Sequence, residues 1–427
     1  MTEAMKDSKT RWLGQIPADW DMVRVKDCFD RKNKKANQKD PIVLSLARSG
    51  VKIRDISSNE GQLAADYTNY NPVAKDDVLI NPMDLVSGDN CNISRVEGVI
   101  SPAYVNLRYK KGINPRFYNY YFKLQYWLGA FFAHGFGVSF DNRWTLSYET
   151  LSKYPLVLPP SDEQDKIADF LDEKCAEIDQ LSEDIQKQID ILEEYKKSVI
   201  TRVVTKGLNP NTEMKDSGIQ WIGKMNSAFA RKKIKNACSM IGSGTTPQSS
   251  NTEFYNDGSI NWIQSGDIYG KEEITDVAVK VTPMALHASS SLKVYKAPFI
   301  VIAMYGGSVG NTAISRINAC TNQAVCCLKP NSDTNLKYLY YWIQFCKEDF
   351  LVKAEGGGQP NISQDKIRNQ WILLPDIDEQ EKIVAYLDKI CDEINDSIAT
   401  KRQQIENLDT YKKSIIYEYV TGKKRVA

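Results

Sequence analysis

A few short motifs are the places where this 427-residue chain could do chemistry, and each fails on its spacing. Gly242-Ser243-Gly244-Thr245-Thr246-Pro247 lacks the third glycine of a dinucleotide-binding turn. Gly306-Gly307-Ser308-Val309-Gly310-Asn311-Thr312 has no lysine to meet a nucleotide phosphate. Asn81-Pro82-Met83-Asp84 is not the double-proline tetrapeptide of an amino-methyltransferase. The two histidines, His134 and His287, are too few for multi-histidine metal sites or histidine-dependent triads. Nine cysteines form no Cys-x-x-Cys pair; an odd number behind a charged start (MTEAMKDSKTRW) predicts reduced thiols and a cytoplasmic protein. Acidic pairs such as Asp378-Glu379 fall where a helix should begin, and there they suit the helix dipole better than a metal. No nucleophile, metal site or cofactor loop emerges.

The elements that would hold any site are repeated. Residues 158–172 (LPPSDEQDKIADFLD) match 374–388 (LPDIDEQEKIVAYLD) at an offset of 216, without a gap. The register continues through Cys175/Cys391 and through Tyr195-Lys196-Lys197-Ser198 with Tyr411-Lys412-Lys413-Ser414. KDSKTRWLG at 6–14 matches KDSGIQWIG at 215–223 with offset 209; Leu107/Leu328 and Gly135/Gly356 follow at 221. The chain is two related halves, roughly 1–210 and 211–427.

Each half ends in a segment of helical period. Apolar residues fall at Ile167, Leu171, Ile178, Leu181, Ile185, Leu192, Tyr195 and Val199, and again at Ile383, Leu387, Ile394, Ile398, Ile405, Leu408 and Ile415. Neither glycine nor proline occurs from 161 to 206 or from 376 to 421; Pro160 and Pro375 precede the starts, and Gly207 and Gly422 follow the ends. Helices of this length, about 65–70 Å at ~1.5 Å per residue, need a partner for their apolar stripe. The duplication predicts an antiparallel coiled coil. The middles look mixed α/β: short apolar strands (Asp77–Asn81, Phe299–Met304) lie between Gly, Asn, Ser and Pro turns, followed by aromatic helices at 117–132 and 338–350 whose stripe suits core packing.

Net charge is +1, but segments 161–206 and 377–425 together carry −7 and the remainder +8. Two mildly basic domains on an acidic spacer fit a polyanion touched at two places. Basic runs stand at Arg31-Lys32-Asn33-Lys34-Lys35 and Arg231-Lys232-Lys233-Ile234-Lys235. The bland alternative for such runs is a solvated surface.

With a Leu-Pro entry into a long helix occurring twice, Leu158-Pro159-Pro160 through Glu163-Gln164 and Leu374-Pro375 through Glu379-Gln380, the chain resembles the DNA-specificity subunits of type I restriction-modification enzymes. Gly242–Pro247, Ile260–Ile268 and Gly358–Ser363 match the family's pattern in the second half; Phe140–Trp144 departs from it in the first. The resemblance implies an α+β fold with a pseudo-twofold repeat. Residues 1–157 and 208–373 would be target-recognition domains, and 158–207 and 374–427 the long helices of an antiparallel coiled coil. It also implies a non-catalytic subunit whose domains each read half of a bipartite double-stranded DNA target. The helices would set the gap and dock two modification subunits, which bring restriction subunits, with no membrane involved. S-adenosylmethionine and ATP with magnesium would bind those partners, not this chain. The other classes are an enzyme with a diverged motif and a coiled-coil adaptor without a nucleic-acid role. Long polar side chains of the basic domains supply the candidate contacts. These are Lys32, Lys34, Lys35 and Lys232 for phosphates, and Arg48, Arg54, Arg143, Gln248, Gln264 and Asn361 for base edges.

Overall fold

A computed structural model describes residues 4–47, 50–56, 64, 66–85, 91–137 and 144–426. The chain forms two compact units, residues 1–186 with 402–427 and residues 187–401. Each long helix is therefore shared between them.

In the first unit, a four-stranded sheet has the order β1 (Phe29–Arg31), β6 (Val105–Tyr109), β3 (Val78–Ile80) and β4 (Cys91–Ile93). Strands β2 (Asn71–Val73) and β5 (Gly98–Ile100) pair beside it. Val78 and Ile80 face the main core and Leu79 a smaller second one. Both faces are covered, so the strand reads as a continuous apolar run. Helix α1 (Pro115–Trp127) buries Phe117, Tyr118, Tyr121 and Phe122 against this sheet.

The second unit repeats the plan. Strands β7 (Cys238–Ser243), β12 (Val325–Pro330), β9 (Phe299–Ala303) and β10 (Thr312–Ser315) form the sheet in that order, with the short strand Glu273–Ile274 added at its edge beside β10; β8 (Ile260–Ile263) and β11 (Ala319–Thr321) run parallel beside it. Registers correspond: β3 sets Val78 against Leu107, and β9 sets Ile300 against Leu328. Helix α3 (Leu336–Phe345) takes the place of α1, with Trp342 and Tyr338 fully buried.

The long helices are α2 (Ser161–Lys206, 46 residues) and α4 (Ile377–Val420, 44 residues). Within the first unit Phe170 packs on Tyr419 with ring centroids 4.4 Å apart, and Lys412 Nζ meets Asp179 at 2.7 Å. Within the second, Gln188 lies by Lys401 at 2.5 Å, Lys196 by Asn395 at 2.9 Å and Arg202 by Tyr386 at 3.3 Å. As one residue number rises the other falls, so the helices are antiparallel. Leu171, Cys175, Ile178, Ile185 and Ile189 form the buried seam. Leu181 and Tyr195, expected on the stripe, are 50% and 53% exposed. They sit one position off the seven-residue repeat that pairs the helices.

The C-terminal segment closes onto the N-terminal one within the first unit. Gly422 abuts Pro17 and Trp20, Lys423 Nζ donates to Leu13 O at 3.0 Å, and Arg425 pairs with Asp19 and Glu163. Arg425 holds the Asp19 carboxyl below its ordinary pKa. A circular permutant joining Ala427 to Met1 and opened near Asn211 is expected to stay soluble and assemble. An insoluble product, beside a linked but unopened control that is soluble, would contradict this closure.

Gln164 and Gln380 set where the long helices begin. Gln164 is 1% exposed; its Oε1 accepts from Asn114 N at 2.9 Å, and its Nε2 donates to Pro159 O at 2.9 Å. Gln380 makes the same two bonds, to Asn335 N at 2.8 Å and Pro375 O at 2.9 Å. Gln164→Leu keeps the volume but orphans two buried backbone groups, at roughly 1–3 kcal/mol each. A loss of about 2–4 kcal/mol in urea unfolding is expected; a change under 0.5 kcal/mol would show that the amide is dispensable.

Candidate nucleic-acid interface

In the second unit, five loops meet at one edge of the sheet. Strand β7 ends in the Gly-Thr-Thr-Pro turn. A Cβ on Gly244 would lie 1.8 Å from the Thr321 carbonyl oxygen, so only glycine lets the turn cross the end of β11. Thr246 Oγ1 then donates to Gln323 Oε1 at 2.7 Å, and Tyr255 Oη donates to Pro247 O at 2.7 Å. Gln248 follows in an exposed turn, its carbonyl accepting from Asn251 N at 3.0 Å.

Parallel pairing of β8 with β11 brings Gln264 to the same edge, since Asn322 N donates to Ile263 O at 3.1 Å. Gln264 is half-buried, and its backbone N–H donates to Asp267 at 2.8 Å. Further along, Met304 N donates to Ala324 O at 2.8 Å and Gly306 N to Pro360 O at 2.7 Å. Asn361 is fixed by a two-way backbone pair with Glu355 (2.6 and 2.9 Å), which leaves its side chain exposed. Backbone hydrogen bonds, with the Thr246–Gln323 side-chain bond, thus bring the loops of Gln248, Gln264 and Asn361 to one rim. Thr246, Gln323 and the 41%-exposed Tyr305 join them; only Thr246 had a sequence signal, inside the Gly-Thr-Pro turn.

Lys232 lies elsewhere. It is half-buried on strand Ala230–Lys233, which pairs with Trp371–Leu374 and precedes β7. Six residues of β7 at ~3.3 Å each separate it from the rim by about 20 Å. Beside it, Arg231 and Lys233 stack on Trp371 at 4.9 and 3.4 Å. Burial, then the neighbouring Lys353, Lys235 and Arg231 charges, lower the Lys233 pKa. The sequence reading passed over this cation–aromatic cluster.

In the first unit, Lys32, Lys34 and Lys35 are exposed just past β1, and Lys32 N donates to Asn106 O at 2.8 Å. Lys32 and Lys34 line a cleft of about 780 Å³ with Arg31, Asp77 and Arg108. Arg31 also lies 4.6 Å over Tyr148. Arg54 is half-buried after strand Gly50–Ile53, its N–H donating to Val43 O at 2.8 Å. Arg48 and Arg143 fall outside the described residues. The two basic runs are not equivalent in the repeat: Ala230–Lys233 corresponds to Asp21–Arg24, whereas Arg31 corresponds in register to Ile241. Among the described residues no cluster of His, Cys, Asp and Glu could hold a metal, and no helix is long and apolar enough to cross a membrane.

Two tandem domains of one plan, joined by long antiparallel helices, place the protein in a class of duplicated scaffolds with divergent rims. The family profile for the type I restriction modification DNA specificity domain matches residues 17–190 and again 226–407, and the chain belongs to that family. It is 24% identical over 433 residues to the type I restriction enzyme MjaVIII specificity subunit of Methanocaldococcus jannaschii, covering 96% of this chain and 94% of that one. It is 31% identical over 159 residues to the EcoR124I/EcoR124II specificity subunit of Escherichia coli, covering 36% and 39%. A chain from a solved structure, described as the basis of complex assembly and conformational transition of the type I R-M system, shares the fold. Its TM-score is 0.69 at 15% identity, over 96% of this chain and 99% of that one.

The crowding at Gly244 makes a direct prediction. Gly244→Ala should displace Thr246–Gln248 and lower DNA affinity of the assembled complex by about tenfold or more, comparable to one lost base contact at ~1–3 kcal/mol. Full affinity in a competition assay would mean that the turn stands off the DNA.

Proposed function

We propose that the chain is the non-catalytic specificity subunit of a cytoplasmic type I restriction-modification complex. Each recognition domain (1–157 and 208–373) reads one half of a split double-stranded DNA target. The helices (158–207 and 374–427) set the gap and dock two modification subunits, with restriction subunits joining through them. S-adenosylmethionine and ATP with magnesium act on those partners. The observation that carries this reading is the duplication itself. Two domains share a scaffold to the level of single hydrogen bonds, yet present different side chains at the corresponding edges. That is what reading two different half-sites requires.

The ten sequence candidates divide under this reading. Gln248, Gln264 and Asn361 act from one rim, and Lys32 and Lys34 from the cleft. Lys35 and Arg54 stand on the same domain as that cleft, Lys232 contacts the backbone away from the rim, and Arg48 and Arg143 fall within the sequence of the first domain. Base readers should relax specificity at one position when removed, and phosphate lysines should weaken all sequences alike. Salt-dependent binding of DNA by the complex separates this function from a coiled-coil adaptor, which would show none.

The helices are tested as a ruler by deleting Leu181–Lys187 and Ser397–Gln403 together. One heptad leaves each helix, about 10 Å at ~1.5 Å per residue. At ~3.4 Å per base pair the preferred gap should shrink by about 3 base pairs, with the half-site sequences unchanged. Binding to duplexes of every gap length across one turn reads this out. An optimum that stays at the parental gap with full affinity would remove the helices from that role.

A further inference from the structure

One place in the duplicated sheet is filled in the second unit and open in the first. In the second unit Tyr295 bridges to Ala319, and its ring lies 5.7 Å from that of Phe299. Its hydroxyl donates to Ser243 O at 3.2 Å and sits against Gly242, where a Cβ would meet it at 2.5 Å. The registers carry each position into the first unit. Ala319 corresponds to Gly98, which faces Val73, so Tyr295 becomes Val73. Phe299 precedes Ile300, which faces Leu328; Asp77 precedes Val78, which faces Leu107. Gly242 faces Cys327; Lys32 bonds Asn106 in the same way, so Gly242 becomes Lys32.

Two packed rings are thus replaced by a valine and an aspartate, a glycine is replaced by a lysine, and the result is the cleft of about 780 Å³. That volume is in the range of sites for small organic groups, ~300–1,000 Å³. Its floor is polar but neutralised. Asp77 is 1% exposed, ion-paired with Arg108 Nε, and accepts from Ala74 N at 2.8 Å. At the mouth stand the exposed ammonium groups of Lys32 and Lys34, with Glu97 the one exposed carboxylate of the lining. One wall is apolar: Ile42, 53% exposed, with Pro72 and Val73. Cations beside an apolar wall complement a ligand that is anionic at one end and apolar at the other.

We propose that this cleft receives one nucleotide of the bound DNA strand. Its phosphate lies at Lys32 and Lys34, and its sugar lies against Ile42, Pro72 and Val73. The proposal rests on the DNA-binding function above, and it makes the two domains unlike: the first grips the strand in a cleft, while Tyr295 and Phe299 close that place in the second.

The test uses the full chain assembled with its modification subunits and the duplex that this complex selects from a random pool. Single neutral methylphosphonate linkages are walked through the duplex. In the parent complex, one or two adjacent substitutions within one half-site should lower affinity about tenfold. In the Lys32→Gln/Lys34→Gln variant those same linkages should have no further effect, and the salt slope should fall by about 0.9, the value for one phosphate. Val73→Tyr, which installs the plug of the second unit, should weaken the same half-site while leaving the other unchanged. If that variant does not fold, the lysine variant decides alone. Equal loss at every linkage, or no loss, overturns the cleft while leaving the DNA-binding function standing. A parent complex that selects no sequence overturns that function itself.

Discussion

A single buried amide at the head of each long helix joins three elements: the aromatic helix, the proline segment that ends the sheet strand, and the long helix itself. Gln164 and Gln380 each accept from the N-cap asparagine of an aromatic helix and donate to the proline carbonyl just before their own helix. The N-cap asparagines in turn cap α1 and α3, with Asn114 Oδ1 accepting from Arg116 N at 2.8 Å and Asn335 Oδ1 from Lys337 N at 2.9 Å. Apolar packing is non-directional; these bonds fix the rotation of the aromatic helix on the sheet and the point at which the chain turns into the long helix. Everything the sheet edges present is referred to that joint.

The next layer is polar too. Arg116 and Tyr120 both reach Asp172 at 2.8 Å, and Lys337 and Tyr341 both reach Asp388, at 2.9 and 2.7 Å. Surface pairs of this kind contribute at most ~1 kcal/mol each, so their role is orientation rather than stability. Burial of Cys175 and Cys391 in the helix seam raises both thiol pKa values. A packed, inert seam and a fixed set of polar clasps let helices of more than forty residues stand as single units, where propensity alone would not hold them.

Much of this was legible in the sequence. Gapless offsets revealed the duplication, and the proline and glycine punctuation located α2 to the residue. The short apolar strands read at Asp77–Asn81 and Phe299–Met304 form as Val78–Ile80 and Phe299–Ala303, buried throughout. Other features needed three dimensions. Leu181 and Tyr195 fit a helical stripe by spacing, yet the seam follows a seven-residue repeat that drifts from the straight helical period. The basic runs at 31–35 and 231–235 look alike in composition but occupy different strands of the repeat. The rim was only partly legible, because Gln264 reaches it through parallel pairing with residues some sixty positions away. The cleft was not legible at all: its signal is a tyrosine and a phenylalanine in the other half of the chain.

The repeat separates two kinds of demand on the same fold. Residues that hold elements together recur in both halves with the same partners: the glutamine joint, the Asp–Tyr–cation clasp, and the threonines Thr205 and Thr421 that bond back to Thr201 O and Tyr417 O at 2.6 Å. Residues at the sheet edge do not recur. Gly244 stands against Lys34, Tyr295 against Val73, and Phe299 against Asp77. A substitution in the first group orphans buried polar groups and costs folding energy. One in the second group, although Tyr295, Phe299, Val73 and Asp77 are themselves buried, changes the sheet edge of one domain without touching those shared bonds. The scaffold therefore lets each edge change on its own, and half-site specificity can diverge in one domain without disturbing the other.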